Sequence, residues 1–280
     1  MSEYAIRQAE PTLRDATALL RVEGQSLGDS PYRPPQALDL LRTPEHYAYL
    51  AFSGERAVGF CSCIELTGIE GRCLEVDMLG VLRESRERGV AAALVRCSLD
   101  AARRRGVKRA RAVVATDNVA SRKVLLKAGL QMPVAPCEMH VHKLHGYGAV
   151  PTVPSGWRWH RASGGQFQPL AGPGSAFSAC GRGRHVHWLV DGTGTVAMAE
   201  CVRIETMAYR GMWLERLWAA SDRALRLMAR LVVEEAKRLR LDEVGYLCPS
   251  SGPRDRARLA LLRAEYCSVG SYHILTARLR

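Results

Sequence analysis

The helix that follows Gly89 has no conventional beginning. The run Arg86-Glu87-Arg88-Gly89-Val90-Ala91 joins an apolar, strand-like stretch to an amphipathic helical one, and a glycine among crowded arginines stands where a Ser or Thr cap would be. The first turn of a helix carries N–H groups that have no intrahelical acceptor, so something outside the helix must meet them. Some thirty residues on, Thr116-Asp117 leads into NVASRKVLLKAGL, whose Asn118 is the chain's only asparagine. By itself that segment reads as a helix with an Asn cap and a terminating Gly129. Glu75 and Asp77 supply a different chemistry. A carboxylate on a half-buried strand can have a raised pKa and remove a proton, directly or through water. The two share a strand face unless a bulge changes the parity. The opposing reading of Glu75, an ion pair with an arginine in a structural network, weighs as much.

Two histidine clusters invite a metal reading. Cys137, His140, His142 and His145 have a spacing that could seat zinc. On a strand, however, residues 140 and 142 share one face while 137 and 145 fall on the other. His185 and His187 call for the same caution, and no metal is expected.

These residues need a scaffold, and the first half alternates clearly. YAIRQA reads as a strand and PTLRDATALLRVEG as a helix with Pro11 in its first turn. RPPQALDLLRTP is a shorter helix; HYAYLAF, RAVGFCSCIEL and CLEVDMLGVL are strands. A helix from Gly89 to Arg105, strand ARAVVAT, helix NVASRKVLLKAG and strand EMHVHKL follow. HGYGAVPTVPSGW, rich in Gly and Pro, reads as a linker, and GGQFQPLAGPGSAFSACGRGRH as a loop. The alternation then resumes with strands HVHWLV, TVAMAECVRIET and MWLERLW, a helix from Asp222 to Arg240, strand EVGYLC, a helix near Arg254–Ala264 and strand SYHILTARL. The strands centred on Val114 and Gly245 occupy the same place in the two series, a lag that implies repeated domains.

Composition bounds the function. The chain has 280 residues, 47% of them hydrophobic, and a net charge of +12. No apolar run approaches the roughly 18 residues of a membrane helix, and no signal-peptide pattern opens the chain, so a soluble cytoplasmic protein with no membrane partner is expected. Nine cysteines without a C-x-x-C pair read as free thiols. The positive charge raises a nucleic-acid partner, but the basic residues are 35 arginines and 5 lysines, spread out rather than gathered with aromatics, which argues against one.

Taken together, the Arg86–Ala91 loop after a strand and the spacing Asn118, Ser121, Lys127, Gly129, Leu130 resemble the GNAT N-acetyltransferase superfamily, over residues 4–144. The resemblance implies an α/β fold (an α+β mixed sheet) of two tandem GNAT-like domains. Residues 1–144 would be a domain with an intact acetyl-CoA loop, 145–156 a linker and 157–280 a degenerate copy. It further implies acetyl-CoA as co-substrate. Leu79, Gly80 and Val81 would offer backbone groups to the pantetheine arm, and Arg86, Glu87, Arg88, Gly89, Val90 and Ala91 would hold the diphosphate. Asn118 and Ser121 would meet the arm from the other side, between splayed parallel strands. A diphosphate then caps the helix: amides and dipole point at it, and Gly89 lets the backbone approach. Glu75 is the candidate general base, where some family members carry a glutamate, with Asp77 the alternative.

Two departures matter. Many relatives have a Tyr seven residues after the Asn to protonate the leaving thiolate; here that position is Leu125. A thiol with a pKa of about 8.5 leaves without much help. In the second half no glycine occurs between Met212 and Val244, and Ser221 or Asp222 offers an ordinary cap. The expected function is acetyl transfer to a primary amine of a small molecule, peptide or protein, the acceptor being unreadable; a catalytically weak acyl-CoA-binding module is the alternative. The positive mean field mildly favours acidic or neutral acceptors, Gly24–Pro44 and Ile64–Arg72 being the segments expected to shape their site. A homodimer is left open.

Overall fold

The computed structural model describes residues 4–28, 30, 32–68, 71–144, 150–163, 183–207, 209–249 and 256–279. The chain divides into two units, and neither is a continuous segment. The first comprises Met1–Val134, Thr206–Ala208 and His273–Arg280; the second comprises Ala135–Glu205 and Tyr209–Tyr272.

In the first unit, β1 (Ala5–Gln8) and β2 (His46–Ser53) flank α1 (Leu13–Ser26) and α2 (Pro34–Leu41) in sequence. Thr12 caps α1 through its hydroxyl, which accepts from the Asp15 N–H, so Pro11 precedes the helix rather than opening it. A β-meander follows, β2 to β3 (Arg56–Gly68) to β4 (Gly71–Val81), all antiparallel. α3 (Val90–Arg104) crosses to β5 (Arg109–Ala115), which pairs with β4 in parallel. α4 (Val119–Lys127) comes next. It ends as its sequence requires: Gly129 has φ 102°. The Leu130 N–H reaches the Leu125 carbonyl at 3.1 Å, and the Gly129 N–H reaches Leu126 at 3.0 Å. The core is the apolar face of α1 and α3 against the sheet, including Leu19, Leu50, Phe60, Leu74, Leu94 and Leu99.

The second unit begins earlier than expected. β6 (Cys137–Lys143), read from sequence as the last strand of the first domain, pairs with β11 (Glu243–Pro249) and with the start of β12 (Cys267–Arg278), inside the second unit. The end of β12 supplies the strand the first unit would otherwise lack, beside β5, with the Leu279 N–H on the Lys108 carbonyl at 2.8 Å. The boundary at residue 144 is therefore corrected: the two halves exchange their final strands. An alternating pattern identifies a strand but says nothing of which sheet it joins.

The remainder of the second unit is β7 (Arg158–Ser163), β8 (Arg184–Asp191), β9 (Gly194–Glu205), β10 (Arg210–Ala219), α5 (Asp222–Arg238) and α6 (Arg256–Leu262). β7, an edge strand of mixed basic and aromatic residues, carries no alternation and was not expected. β10 and β11 are parallel over Gly211–Leu214 and Glu243–Tyr246. The long loop expected before β8, and His145, fall largely or wholly outside the described residues. Among the described residues no helix is long and apolar enough to cross a membrane.

Candidate functional site

The parallel ladder between β4 and β5 covers Cys73–Val76 against Arg109–Ala112 and stops there. β4 continues to Val81 and β5 to Ala115, so the two strands part and β4 shows an edge toward the gap. A bulge marks the parting: Cys63 pairs with Val76 and Ser62 with Met78, leaving Asp77 as the extra residue. Beyond it the backbone of β4 leads into a cavity of about 520 Å³, within the range of small-molecule sites.

This cavity gathers most of the residues singled out in the sequence. Leu79, Gly80 and Val81 line it from β4, Arg86, Glu87 and Gly89 from the loop, Val90 and Ala91 from α3, and Asn118 and Ser121 from α4. Arg88 is exposed and does not line it. The structure adds Ser26 and Leu27 at the end of α1, Ser85, Ala92, Ala120 and Val124, which the sequence reading did not include, and Lys127 in the last turn of α4, which it named only for its spacing. Gly80 is a glycine because a Cβ there would collide with the Ser26 hydroxyl and the Phe60 ring.

The loop is shaped to present amides. Glu87 and Gly89 have positive φ, 63° and 81°, with Arg88 between them at negative φ, an alternation that turns successive N–H groups to one side. Glu87 bears that conformation without being glycine, at a cost of about 1 kcal/mol. Gly89 is the N-cap of α3 and offers no side-chain cap. The first intrahelical bond is the Ala93 N–H on the Gly89 carbonyl at 3.0 Å, leaving Val90, Ala91 and Ala92 without helical acceptors. Nothing lies within 4 Å of where a Gly89 Cβ would be. An anion fits this mouth on every count: unmet amides, a positive helix end and open space.

Arg86 acts first on the protein itself. Its Nε donates to the Val81 carbonyl at 3.0 Å and its Nη2 to the Ser26 carbonyl at 3.4 Å, tying the end of β4 to the last turn of α1. Asn118 caps α4, its Oδ1 accepting from the Ser121 N–H at 3.1 Å, which leaves the amide NH₂ as its remaining donor.

The two strand carboxylates lie outside this cavity and in different settings. Glu75 accepts from Nε of Arg111, its register partner on β5, at 2.9 Å, and from Nη2 of the same arginine. This is the geometry of the structural ion pair. Asp77 acts on the buried thiols of Cys61 and Cys63, which sit 3.7 Å apart beside Ser98 of α3. The bulge has broken the shared face the two carboxylates would have had. Leu125, where a proton donor was looked for, is 3% exposed and packed in the core.

The second unit repeats the strand geometry and not the mouth. β10 also bulges, at Glu215 between Leu214 and Arg216. Only two residues separate β10 from α5, against eight between β4 and α3. Ser221 caps α5 with its own hydroxyl, accepting from the Ala224 N–H at 3.2 Å. The place of an anion is taken by a side chain.

Residues 14–130 match the family model described as "Acetyltransferase (GNAT) family". These residues form a GNAT domain. No protein of curated function matches the chain by sequence. Among solved structures, a tandem GNAT protein from the clavulanic acid biosynthesis pathway, determined without AcCoA, is 14% identical, with a TM-score of 0.58 over 99% of this chain and 99% of its own. A GCN5-related N-acetyltransferase from Sphaerobacter thermophilus is 16% identical, with a TM-score of 0.60 over 100% of this chain and 97% of its own. At these identities the likeness is one of fold, and it extends over the whole chain: the protein has the tandem GNAT fold. Among the described residues no group of three His, Cys, Asp or Glu side chains is placed to hold a metal.

Proposed function

We propose that the protein is an acetyl-CoA-dependent N-acetyltransferase acting on a primary amine by direct attack, with the cofactor held in the first unit and the second unit a degenerate copy. One observation carries the reading: the uncapped, αL-opened mouth of α3 and the unpaired edge of β4 line the same cavity. The mouth suits a diphosphate and the strand edge suits the amide groups of a pantetheine arm. Bound there, acetyl-CoA supplies an activated acetyl thioester. The chain's own residues supply position and electrostatics. Leu79–Val81 present backbone donors and acceptors, Val90 and Ala91 present free N–H groups, and Asn118 presents its amide from α4. Arg86 holds the β4 end and the α1 end together while adding positive charge at the mouth, and Lys127 adds a second cation on the α4 side.

A second reading, an acyl-CoA-binding module with weak or no turnover, is favoured by two observations. Leu125 is buried and gives no proton, and Glu75 is occupied by Arg111. Calorimetric titration with CoA, together with thiol release from acetyl-CoA across a panel of primary amines, separates the two. Binding with turnover supports the transferase; binding with none on any amine supports the module. Gly89→Glu places a carboxylate in the mouth, and loss of CoA affinity by at least 100-fold with a retained circular dichroism spectrum is expected. Unchanged affinity would remove the assigned loop from both readings.

A further inference from the structure

One strand of the second unit keeps a side open. β10 is paired with β9 along its whole length, but with β11 only over Gly211–Leu214. Past the bulge at Glu215, β11 stays with β6 as far as Pro249, and β10 is left with β9 alone. One bond fixes the direction of the spare backbone groups. The Ala220 N–H reaches the Val196 carbonyl of β9 at 2.9 Å. Backbone groups alternate sides along a strand, so Trp218 also faces β9, while Leu217 and Ala219 turn their N–H and C=O groups toward the gap. Among the described residues nothing is bonded to those groups, and Glu215–Ala219 is partly exposed throughout. A strand edge in this state is a template for another chain.

The side chains at the edge continue a pattern. His160, Trp188, Met198 and Trp218 stand directly opposite one another across β7, β8, β9 and β10, in a single row on one face of the sheet. The His160 and Trp188 rings stack at 5.3 Å with 15° between their planes, and Trp188 and Trp218 both pack on Val186 and Met198. All three rings remain partly exposed. Leu217 and Ala219 project from the other face, against the core under α5. The corresponding row of the first unit is Arg7, Leu50, Phe60 and Gly80. That row ends in glycine, because Ser26 and Phe60 occupy the place of a Cβ; the row in the second unit ends in an indole. The helix mouth beside it differs too, since Ser221 closes α5 and leaves no seat for a diphosphate.

We propose that this edge of β10 is a second binding site, which takes an extended peptide bearing an aromatic side chain as an added strand between β10 and β11. The site needs no cofactor and stands apart from the acetyltransferase reading. Laid antiparallel to β10, the peptide exchanges hydrogen bonds with Leu217 and Ala219, whose groups recur after two residues, about 6.8 Å, the repeat of an extended chain. Its residue opposite Trp218 falls in the closer, non-hydrogen-bonded kind of pair, with Cα atoms about 4.5 Å apart. That residue becomes the fifth member of the row, and an aromatic ring there meets the Trp218 indole as a cross-strand aromatic pair.

The experiment titrates the full chain by calorimetry with three end-capped peptides. The first is Lys-Val-Thr-Tyr-Thr-Val-Lys, with Tyr to face Trp218. The second replaces Tyr by Ser, and the third carries N-methyl groups on the two threonines that would donate to β10. Saturable binding of the first peptide is expected, with the second and third each weaker by about tenfold or more, the worth of an aromatic pair or a hydrogen bond. Trp218→Ala should weaken the first peptide by a similar factor and Trp218→Phe should restore most of the loss, both with CoA affinity unchanged. No binding of the first peptide overturns the proposal, as does equal affinity for the N-methylated one, which would remove strand addition. Equal affinity for the Ser peptide overturns the aromatic requirement. Displacement of the peptide by CoA overturns it as well, by assigning the edge to the cofactor or the peptide to the first unit's cavity. The peptide comparisons need no variant, so they decide the matter even where Trp218→Ala fails to fold. A chain that takes the peptide and binds no CoA fails the acetyltransferase reading and leaves this site standing.

Discussion

At the scale of single residues, the burial of titratable side chains gives this protein a pH dependence. Two histidines are sealed in: His46 bonds Ser62 through Nε2 at 2.9 Å, and His187 lies under α5 with neither ring nitrogen hydrogen-bonded. Burial lowers both from the ordinary 6.5 to about 4; for His187 the nearby Glu235 opposes this, while His185, Arg161 and Arg238 add to it. Between those pH values the unfolded chain binds the proton and the folded one does not. Stability therefore falls as pH drops from about 7 toward 4, by on the order of 3 kcal/mol per histidine. Asp15, lowered by its bond to Arg7, loses its contribution over a more acidic range. Glu23 and Glu200, raised by burial, act in the opposite direction, their cost easing as they protonate. The expected outcome for His187→Leu is a smaller loss of melting temperature between pH 7.5 and pH 5 than in wild type. An identical loss in both proteins would show that His187 is not the group responsible. None of this was legible in the sequence, where His185 and His187 suggested at most a metal; it takes the packed fold to show that the His187 ring nitrogens are buried without hydrogen bonds.

Between elements, the contrast that matters is how two helices begin. α5 is closed by Ser221 and α3 is left open at Gly89. Ser221→Ala should cost about 1 kcal/mol of stability and leave CoA affinity unchanged, measured by urea unfolding and calorimetry. Asn118→Ala should cost a similar amount through the lost α4 cap and, in the proposed function, also weaken CoA binding about tenfold, roughly one hydrogen bond. A stability loss in Asn118→Ala with unaltered affinity would confine Asn118 to capping. This scale was the most readable one. The glycine at residue 89, the asparagine at 118 and their spacings are local facts, and the cavity is lined by nearly every residue they pointed to. What escaped was whatever depends on register between strands. Glu75 opposite Arg111 is fixed by the β4–β5 pairing, and the separation of Asp77 from Glu75 is fixed by a one-residue bulge against β3. A single sequence gives alternation along a strand and no information about what stands across from it.

For the molecule as a whole, the exchange of strands makes the two halves interdependent, and it explains what a degenerate second copy can contribute even with its helix mouth closed. The first unit's core includes Met207, Leu275 and Leu279, all at most 3% exposed and all encoded in the second half of the chain. Tyr32, between α1 and α2, donates its hydroxyl to the Thr206 carbonyl at 2.8 Å, and Gln131 and Thr276 exchange backbone bonds at 2.8 Å. A fragment ending at residue 144 would keep the complete GNAT sequence signature, yet it would lose those three side chains, about 2 kcal/mol each, and the strand beside β5. The deficit of roughly 6 kcal/mol is comparable to the whole stability of an ordinary domain. The same fragment would retain β6, which has no partner strand in the first unit and would present unpaired edges to other molecules. Expression of residues 1–144 alone is therefore expected to give aggregated or unfolded protein with no cooperative thermal transition and no CoA binding, although every residue assigned to the cofactor is present. Co-expression with residues 145–280 should restore both, because it returns the end of β12, Thr206 and Met207 to their places. A soluble 1–144 fragment that melts cooperatively and binds CoA with wild-type affinity would show that the exchanged segments are dispensable, and that the second unit must owe its presence to something other than completing the first.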